Sequence, residues 1–276
     1  MMTRQLPLEH WGLERWPFPA MPDADQFYPT AGHNEALARI EYLVDARRRL
    51  GVLLGPAGVG KSLLLQVAAR QLARAGRATM LVDLVGMATR ELLWQVAAGL
   101  GAAPREDADV PRLWRLITDG AAENRLQQIH TVLLLDDAGR AGPDVATQLV
   151  RLARLDPTPT ARWTMVLAAE ADQARRWNDT LRELVDLRID LGPWDEADTI
   201  GYVQTALVEA GCLEPLFNNR ALAELHELAG GVPRRVARLA DFALLAGAAA
   251  GERTIDASII RAAHEETNWA LAATLV

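Results

Sequence analysis

Five short apolar runs punctuate the first two-thirds of the chain: Leu50–Leu54, Ala78–Asp83, Thr131–Asp136, Trp163–Ala168 and Leu187–Leu191. Most are rich in Val, Leu or Ile and nearly unbroken by polar residues, as strands are when both faces are covered. Between them lie stretches of helical periodicity, Lys61–Ala75, Thr89–Leu100, Val110–Glu123, Pro143–Leu155 and Asp172–Leu184. Such alternation predicts an α/β domain built on a five-stranded parallel sheet. After Gly192-Pro193 the pattern changes, and no further strand is evident. Asp195, Asn218 or Asn219, the Gly230-Gly231-Val232-Pro233 break and Asp256 each offer a cap or break ahead of a helix. The tail therefore predicts a bundle of about four helices. Residues 1–193 are expected to form an N-terminal segment plus the α/β core, and residues 194–276 a helical lid.

Composition narrows the class. Half of the 276 residues are hydrophobic and 24% charged, which suits a globular chain with a sizeable core. The net charge of −7 argues against a life spent on nucleic acid or anionic membrane. The acidity is concentrated in the tail from Trp194, with twelve acidic against six basic residues. The lone cysteine, Cys212, excludes an internal disulfide and fits a reducing compartment as small filler near a helix end. Met1-Met2-Thr3-Arg4-Gln5 leads into polar and aromatic sequence without a leader's apolar stretch, and the run Phe242 to Ala250 is too short for a bilayer. The expectation is a cytoplasmic protein with no membrane span. His10, His33, His130, His226 and His264 show no metal-ligand spacing.

One residue changes the picture. Lysine and arginine total 29, yet Lys61 is the only lysine. It sits in Gly55-Pro56-Ala57-Gly58-Val59-Gly60-Lys61-Ser62, a complete G-x-x-x-x-G-K-[ST] phosphate loop after an apolar strand and before a helix. A planar guanidinium does not fit where a compact ammonium must reach the β- and γ-phosphates. The glycines let backbone N–H groups face the phosphates, and the helix that continues through Leu63 presents its positive end to them. Ser62 is expected to supply a hydroxyl to Mg²⁺. The chain is thus expected to bind a nucleoside triphosphate such as ATP.

A second acidic signal stands at the end of Val132-Leu133-Leu134-Leu135, where Asp136-Asp137 follow. This is the Walker B arrangement: a buried strand carries a carboxylate to its C-terminal edge. Asp136 would hold Mg²⁺, and Asp137 would orient or activate the attacking water. The other reading of Asp137 is a helix cap or solvated carboxylate just past the strand.

With these motifs in place the chain resembles an AAA+ ATPase of the ExeA-like group, named for the general secretion pathway A protein. The resemblance runs through most of the chain. Leu8-Glu9-His10-Trp11-Gly12-Leu13 and Glu14-Arg15-Trp16-Pro17-Phe18 are similar to the group's opening. Phe27-Tyr28-Pro29 and His33-Asn34-Glu35-Ala36-Leu37-Ala38-Arg39 resemble the segment that leads over the adenine. Tyr28 is accordingly a candidate for contact with the base, or belongs with Trp11 and Trp16 to an aromatic anchor. Pro193-Trp194 and Gly230-Gly231-Val232-Pro233-Arg234-Arg235 look like the lid. The last is a G-x-P-R sensor-2 motif, which implies that Arg234 reaches the γ-phosphate. Physics agrees: Pro at a first helical turn fixes the helix start, and an arginine behind it can fork onto phosphate oxygens. A solvated helix start is the alternative for Arg234 and Arg235.

Three departures from the group's pattern bear on turnover. The second Walker B acid is Asp137, where the group commonly has Glu, one methylene longer; an AAA+ replication initiator shares the Asp-Asp pair. Near Ala169, where relatives place a polar sensor-1 residue, alanine has no polar side chain, and Glu170 would repel phosphate. Arg182 and Arg188 lie where arginine fingers arise, with surface or ion-pair roles as the other reading. The leading expectation is a slow ATP hydrolase acting as a conformational switch for a protein partner or a second copy. DNA association, as in transposition target selectors, is one alternative, with Arg47-Arg48-Arg49 read as a nucleic-acid contact or a solvated helix end. A nucleotide-binding scaffold with little turnover is the other.

Overall fold

The computed structural model describes residues 5–19, 24–158 and 160–272, so the opening residues 1–4, read above for a leader, lie outside the described residues. In chain order the elements are α1 (Gln5–Trp11), α2 (Ala31–Asp45), β1 (Leu50–Leu54), α3 (Lys61–Arg74), β2 (Ala78–Asp83), α4 (Thr89–Gly99) and α5 (Val110–Leu126). There follow β3 (Thr131–Asp136), α6 (Pro143–Ala153), β4 (Trp163–Ala169), α7 (Ala171–Ala174), α8 (Asp179–Glu183) and β5 (Leu187–Asp190). The chain continues through α9 (Glu196–Glu209), α10 (Asn219–Ala229), α11 (Pro233–Ala250) and α12 (Ala257–Ala272). Among the described residues no helix is long and apolar enough to cross a membrane.

Contacts divide the chain into two compact units. The first holds residues 31–57 and 61–192. Its strands form one parallel sheet in the order β2-β3-β4-β1-β5. The register sets Leu54 opposite Ala169 and Asp83 opposite Asp136, so the carboxyl ends of the strands finish together. In open α/β sheets that edge is where ligands bind. Strand residues two apart share a face. Leu50, Val52 and Leu54 join Leu133, Leu135, Met165 and Leu167 in one apolar cluster with Leu92, Leu93 and Val96 of α4 and Leu113 and Ile117 of α5. On the opposite face Gly51 lets α2 approach, since a methyl at that position would strike the buried Leu43.

The five strands stand within a residue of their expected limits. Among the helices of this unit, two assignments differ. Residues 172–184 form two short helices rather than one, because the Asn178 carboxamide caps α8 by accepting from the Leu181 N–H at 2.8 Å. Residues 31–45, absent from the expected helical stretches, form α2, whose buried stripe is His33, Ala36, Ile40, Leu43 and Val44.

The second unit comprises residues 1–30, 58–60 and 193–276. Its core joins Trp11, Leu13 and Phe18 to Trp194, Val203, Leu207, Leu225, Val236, Leu239 and Leu244. The expected caps are present: Asp195 accepts from the Asp198 N–H, Asn218 from the Ala221 N–H, and Asp256 from Ser258 and Ile259. Gly230 closes α10 in the left-handed conformation, and Pro233 opens α11. The N-terminal segment, grouped above with the α/β core, instead packs with these helices. Its large side chains are buried in the apolar core of the bundle. The Trp11 indole donates to the Leu244 carbonyl at 3.0 Å, the Glu14 N–H donates to the Ala210 carbonyl at 2.8 Å, and the Trp16 indole bonds Asp241.

Candidate functional site

The phosphate loop leaves β1 at Gly55, whose N–H still donates to the Ala169 carbonyl at 3.3 Å. Gly58 and Gly60 take φ of +85° and +100°, which side-chain-bearing residues rarely adopt. Gly58 is also crowded: a Cβ there would sit 3.0 Å from Val232 Cγ1 and 3.1 Å from Arg234 Cβ. Val59 is fully buried, whereas Pro56 and Ala57 are exposed. Lys61, at the first position of α3, is only 8% exposed, and its ammonium donates to the carbonyls of Gly55 at 2.8 Å and Pro56 at 3.0 Å. A single lysine is thus held over the loop that precedes it. Ser62 is exposed on the next position and Leu63 half-buried beyond it.

Asp136 ends β3 beside this helix. The Ser62 hydroxyl and the Asp137 N–H both donate to its carboxylate, the latter at 2.9 Å. Burial pushes the Asp136 carboxyl up from its ordinary value, those two hydrogen bonds oppose the shift, and the charges of Asp137 and Asp83 add to it. A carboxylate whose ionised form is disfavoured in this way suits a neighbouring cation. Among the described residues no cluster of three or more His, Cys, Asp or Glu forms a metal cage. One hydroxyl and one carboxylate, Ser62 and Asp136, are the kind of donors that fit Mg²⁺ carried largely by phosphate and water.

Asp137 follows in the left-handed conformation at φ +48°, ψ +34°, heading a single 3₁₀ turn, Ala138–Arg140. Its side chain makes no capping bond; Arg140 Nε lies 3.9 Å from its carboxylate. Ala169 is fully buried as the last residue of β4, and Glu170 stands at the N-cap position of α7 without a capping bond, its carboxylate accepting instead from the Gln173 side-chain Nε2 at 3.0 Å. A cavity of about 550 Å³ opens at this edge, lined by Gly55, Pro56, Glu170, Asp172, Arg175 and Asp190 among others.

The remaining candidates stand as follows. Arg182 is paired with Asp179, and Arg188 holds Asp190 with contacts of 2.7 and 2.9 Å. Arg234 is exposed, and its backbone N–H donates to the Gly58 carbonyl at 3.2 Å, tying the start of α11 to the tip of the phosphate loop within the second unit. Tyr28 stacks edge-on against Trp194 and Tyr202 at 5.9 and 5.8 Å. Arg47 turns the chain out of α2 at φ +52°, and Arg47, Arg48 and Arg49 are all exposed. His10 and His226 bond the Glu252 carbonyl and the Thr199 hydroxyl. Two groups near the site had not been singled out. Asp83 ends β2 opposite Asp136, an apolar run closed by an acid much as β3 is. Gln173 has no local signal at all.

Residues 44–177 match the family described as AAA domain. General secretion pathway protein A of Aeromonas hydrophila is 29% identical over 262 residues, which is 93% of this chain but 48% of that protein. The chain thus spans about half the length of the curated relative it matches. Among solved structures, Aeropyrum pernix ORC1 in complex with DNA superposes with a TM-score of 0.69 at 16% identity, over 92% of this chain and 69% of that one. Cdc6p from Pyrobaculum aerophilum gives 0.63 at 19% identity, with 89% and 71% covered. The Thermotoga maritima RuvB Holliday junction branch migration motor gives 0.59 at 16% identity, with 91% and 73% covered. The phosphate loop, the acid-tipped β3 and the five-stranded parallel sheet thus stand in a chain whose residues 44–177 match the AAA domain family and which, over most of its length, is similar to general secretion pathway protein A.

Proposed function

We propose that this chain binds ATP with Mg²⁺, hydrolyses it slowly, and uses the difference between its two nucleotide states to engage a protein partner or a second copy of itself. The observation that carries the reading is the Ser62 hydroxyl bonded to Asp136, beside an ammonium held over its own loop. That hydrogen bond joins the residue after Lys61 to the acid at the tip of β3, one strand removed from β1. In this reading the N–H groups of residues 57–62 and the Lys61 ammonium receive the phosphates. Ser62 and Asp136 would hold Mg²⁺, whose charge offsets that of the phosphates when it is bound. Asp137 positions the attacking water and takes its proton. Arg234 adds a guanidinium near the loop's tip, in keeping with its backbone bond to Gly58. Slow turnover is supported by the short Asp137 side chain and by the apolar Ala169 at the end of β4. A site of this kind belongs where ATP is abundant, on the cytoplasmic side of the membrane.

Phosphate release by the wild type, by Lys61→Ala and by Asp137→Ala tests the proposal. Turnover that rises with protein concentration and vanishes in both variants is expected. Turnover unaffected by either substitution refutes it. A second reading, association with DNA, draws on the three exposed arginines Arg47–Arg49 and on the fold shared with a protein solved in complex with DNA. Duplex binding that weakens steeply with salt would favour it.

A further inference from the structure

Asp137 holds a left-handed conformation, uncommon for residues with side chains although aspartate visits it more readily than most. Its own side chain does not cap the turn that follows. That turn is held by the segment after β4. The Trp177 indole N–H donates to the Ala138 carbonyl at 3.3 Å, and Ala138 itself is buried. Gln173 lies directly against Gly139: a Cβ there would meet the Gln173 amide oxygen and would stand 2.5 Å from Gln173 Cβ. Two side chains from one segment therefore grip the turn that Asp137 heads.

Gln173 also reaches the other way. Its Nε2 donates to Glu170 at 3.0 Å, and Glu170 lines the cavity that includes Gly55 and Pro56. Its amide oxygen is buried with no hydrogen-bond partner among the described residues. An unbonded buried oxygen costs stability, and an apolar side chain of similar length would fill the space without it. Packing alone does not call for glutamine here. Directing Glu170 while wedging the Asp137 turn does.

We infer that Gln173 is a positioning residue for hydrolysis, fixing Asp137 through Gly139 and drawing the Glu170 carboxylate toward α7, away from the phosphate loop. The inference rests on the hydrolytic reading of the site. It has a consequence that a structural role lacks: loss of the amide slows the chemical step without weakening nucleotide binding.

Three measurements on the full chain test it. Gln173→Met keeps length and burial while removing both polar atoms. Its thermal midpoint should equal or exceed that of the wild type, its affinity for a fluorescent ATP analogue should stay within about twofold, and kcat should fall about tenfold or more. Gln173→Glu sets a second carboxylate beside Glu170; its turnover should recover on acidification, when a protonated acid can donate the lost hydrogen bond, while the wild-type profile does not rise. The Arg140 N–H, bonded to the Asp137 carbonyl at 2.9 Å, should exchange faster in Gln173→Met. An unchanged kcat in Gln173→Met, or affinity falling in step with kcat, overturns the inference. If the wild type shows no Lys61-dependent turnover, the hydrolytic reading fails, and Arg140 exchange alone decides. Faster exchange in the variant then upholds the Gln173–Gly139 wedge, and unchanged exchange overturns it.

Discussion

Replacing Lys61 is the most direct perturbation of the nucleotide site, and the structure sets its size. The ammonium is 8% exposed and donates to two carbonyls of its own loop, Gly55 and Pro56, at 2.8 and 3.0 Å. Lys61→Ala removes a charge-assisted contact to phosphate worth about 1.5–3 kcal/mol. That corresponds to a loss of about 10- to 150-fold in ATP affinity. The same substitution leaves the buried Gly55 carbonyl without this donor, a cost of about 1–3 kcal/mol to the fold. Lys61→Arg separates the two effects. It retains the charge but spreads it over a plane too wide for the same nook, so affinity should fall almost as far as in the alanine variant. Titration with a fluorescent ATP analogue in Mg²⁺ measures affinity, and thermal unfolding with and without ATP shows whether the nucleotide still stabilises the chain. Undiminished affinity in Lys61→Ala refutes the assignment of the loop. Wild-type affinity in Lys61→Arg refutes the argument from ammonium shape while sparing the site.

Three further outcomes are expected. Asp136→Asn should leave Mg²⁺-free ATP binding within a few-fold of the wild type but reduce Mg²⁺-dependent phosphate release by about a hundredfold or more, read in a coupled phosphate assay. His130 is 2% exposed at the foot of β3 and donates to the Thr164 hydroxyl, which in turn donates to the Arg48 carbonyl. Burial first, then the charges of Arg77, Arg162 and Arg47, lower its pKa to about 4. The unfolded chain then holds the extra proton from about pH 6.5 downward, so stability is full above that pH and declines as pH falls toward 4. With solvent screening of the arginines, the loss between pH 7 and pH 5 should be about 1–2 kcal/mol, and urea unfolding of His130→Gln should lack that component. Gly51→Ala should destabilise the α/β unit by about 1–3 kcal/mol in the same assay, since the added methyl strikes Leu43.

What the sequence by itself determined were features whose physics is local. Strands buried on both faces must be continuous apolar runs, so all five were readable. A phosphate loop needs glycines where φ is positive and one compact cation behind them, so residues 55–62 were readable without any fold. Asp195, Asn218 and Asp256 announce helix starts because a cap bonds its own neighbours. The stripe of α2 was present too, at His33, Ala36, Ile40 and Leu43, but a buried histidine and flanking polar residues veiled its period. Tertiary structure decided whatever depends on which surfaces meet. Trp11, Leu13 and Phe18 advertise a need for burial, yet nothing in their spacing says that the helical bundle meets it rather than the sheet. Asp137 could be seen at a strand's end, but its left-handed backbone and the grip of Gln173 and Trp177 could not. Those contacts join β3 to the segment after β4 across a gap of more than thirty residues. The strand order makes those carboxyl ends neighbours, and a one-dimensional pattern carries no record of it.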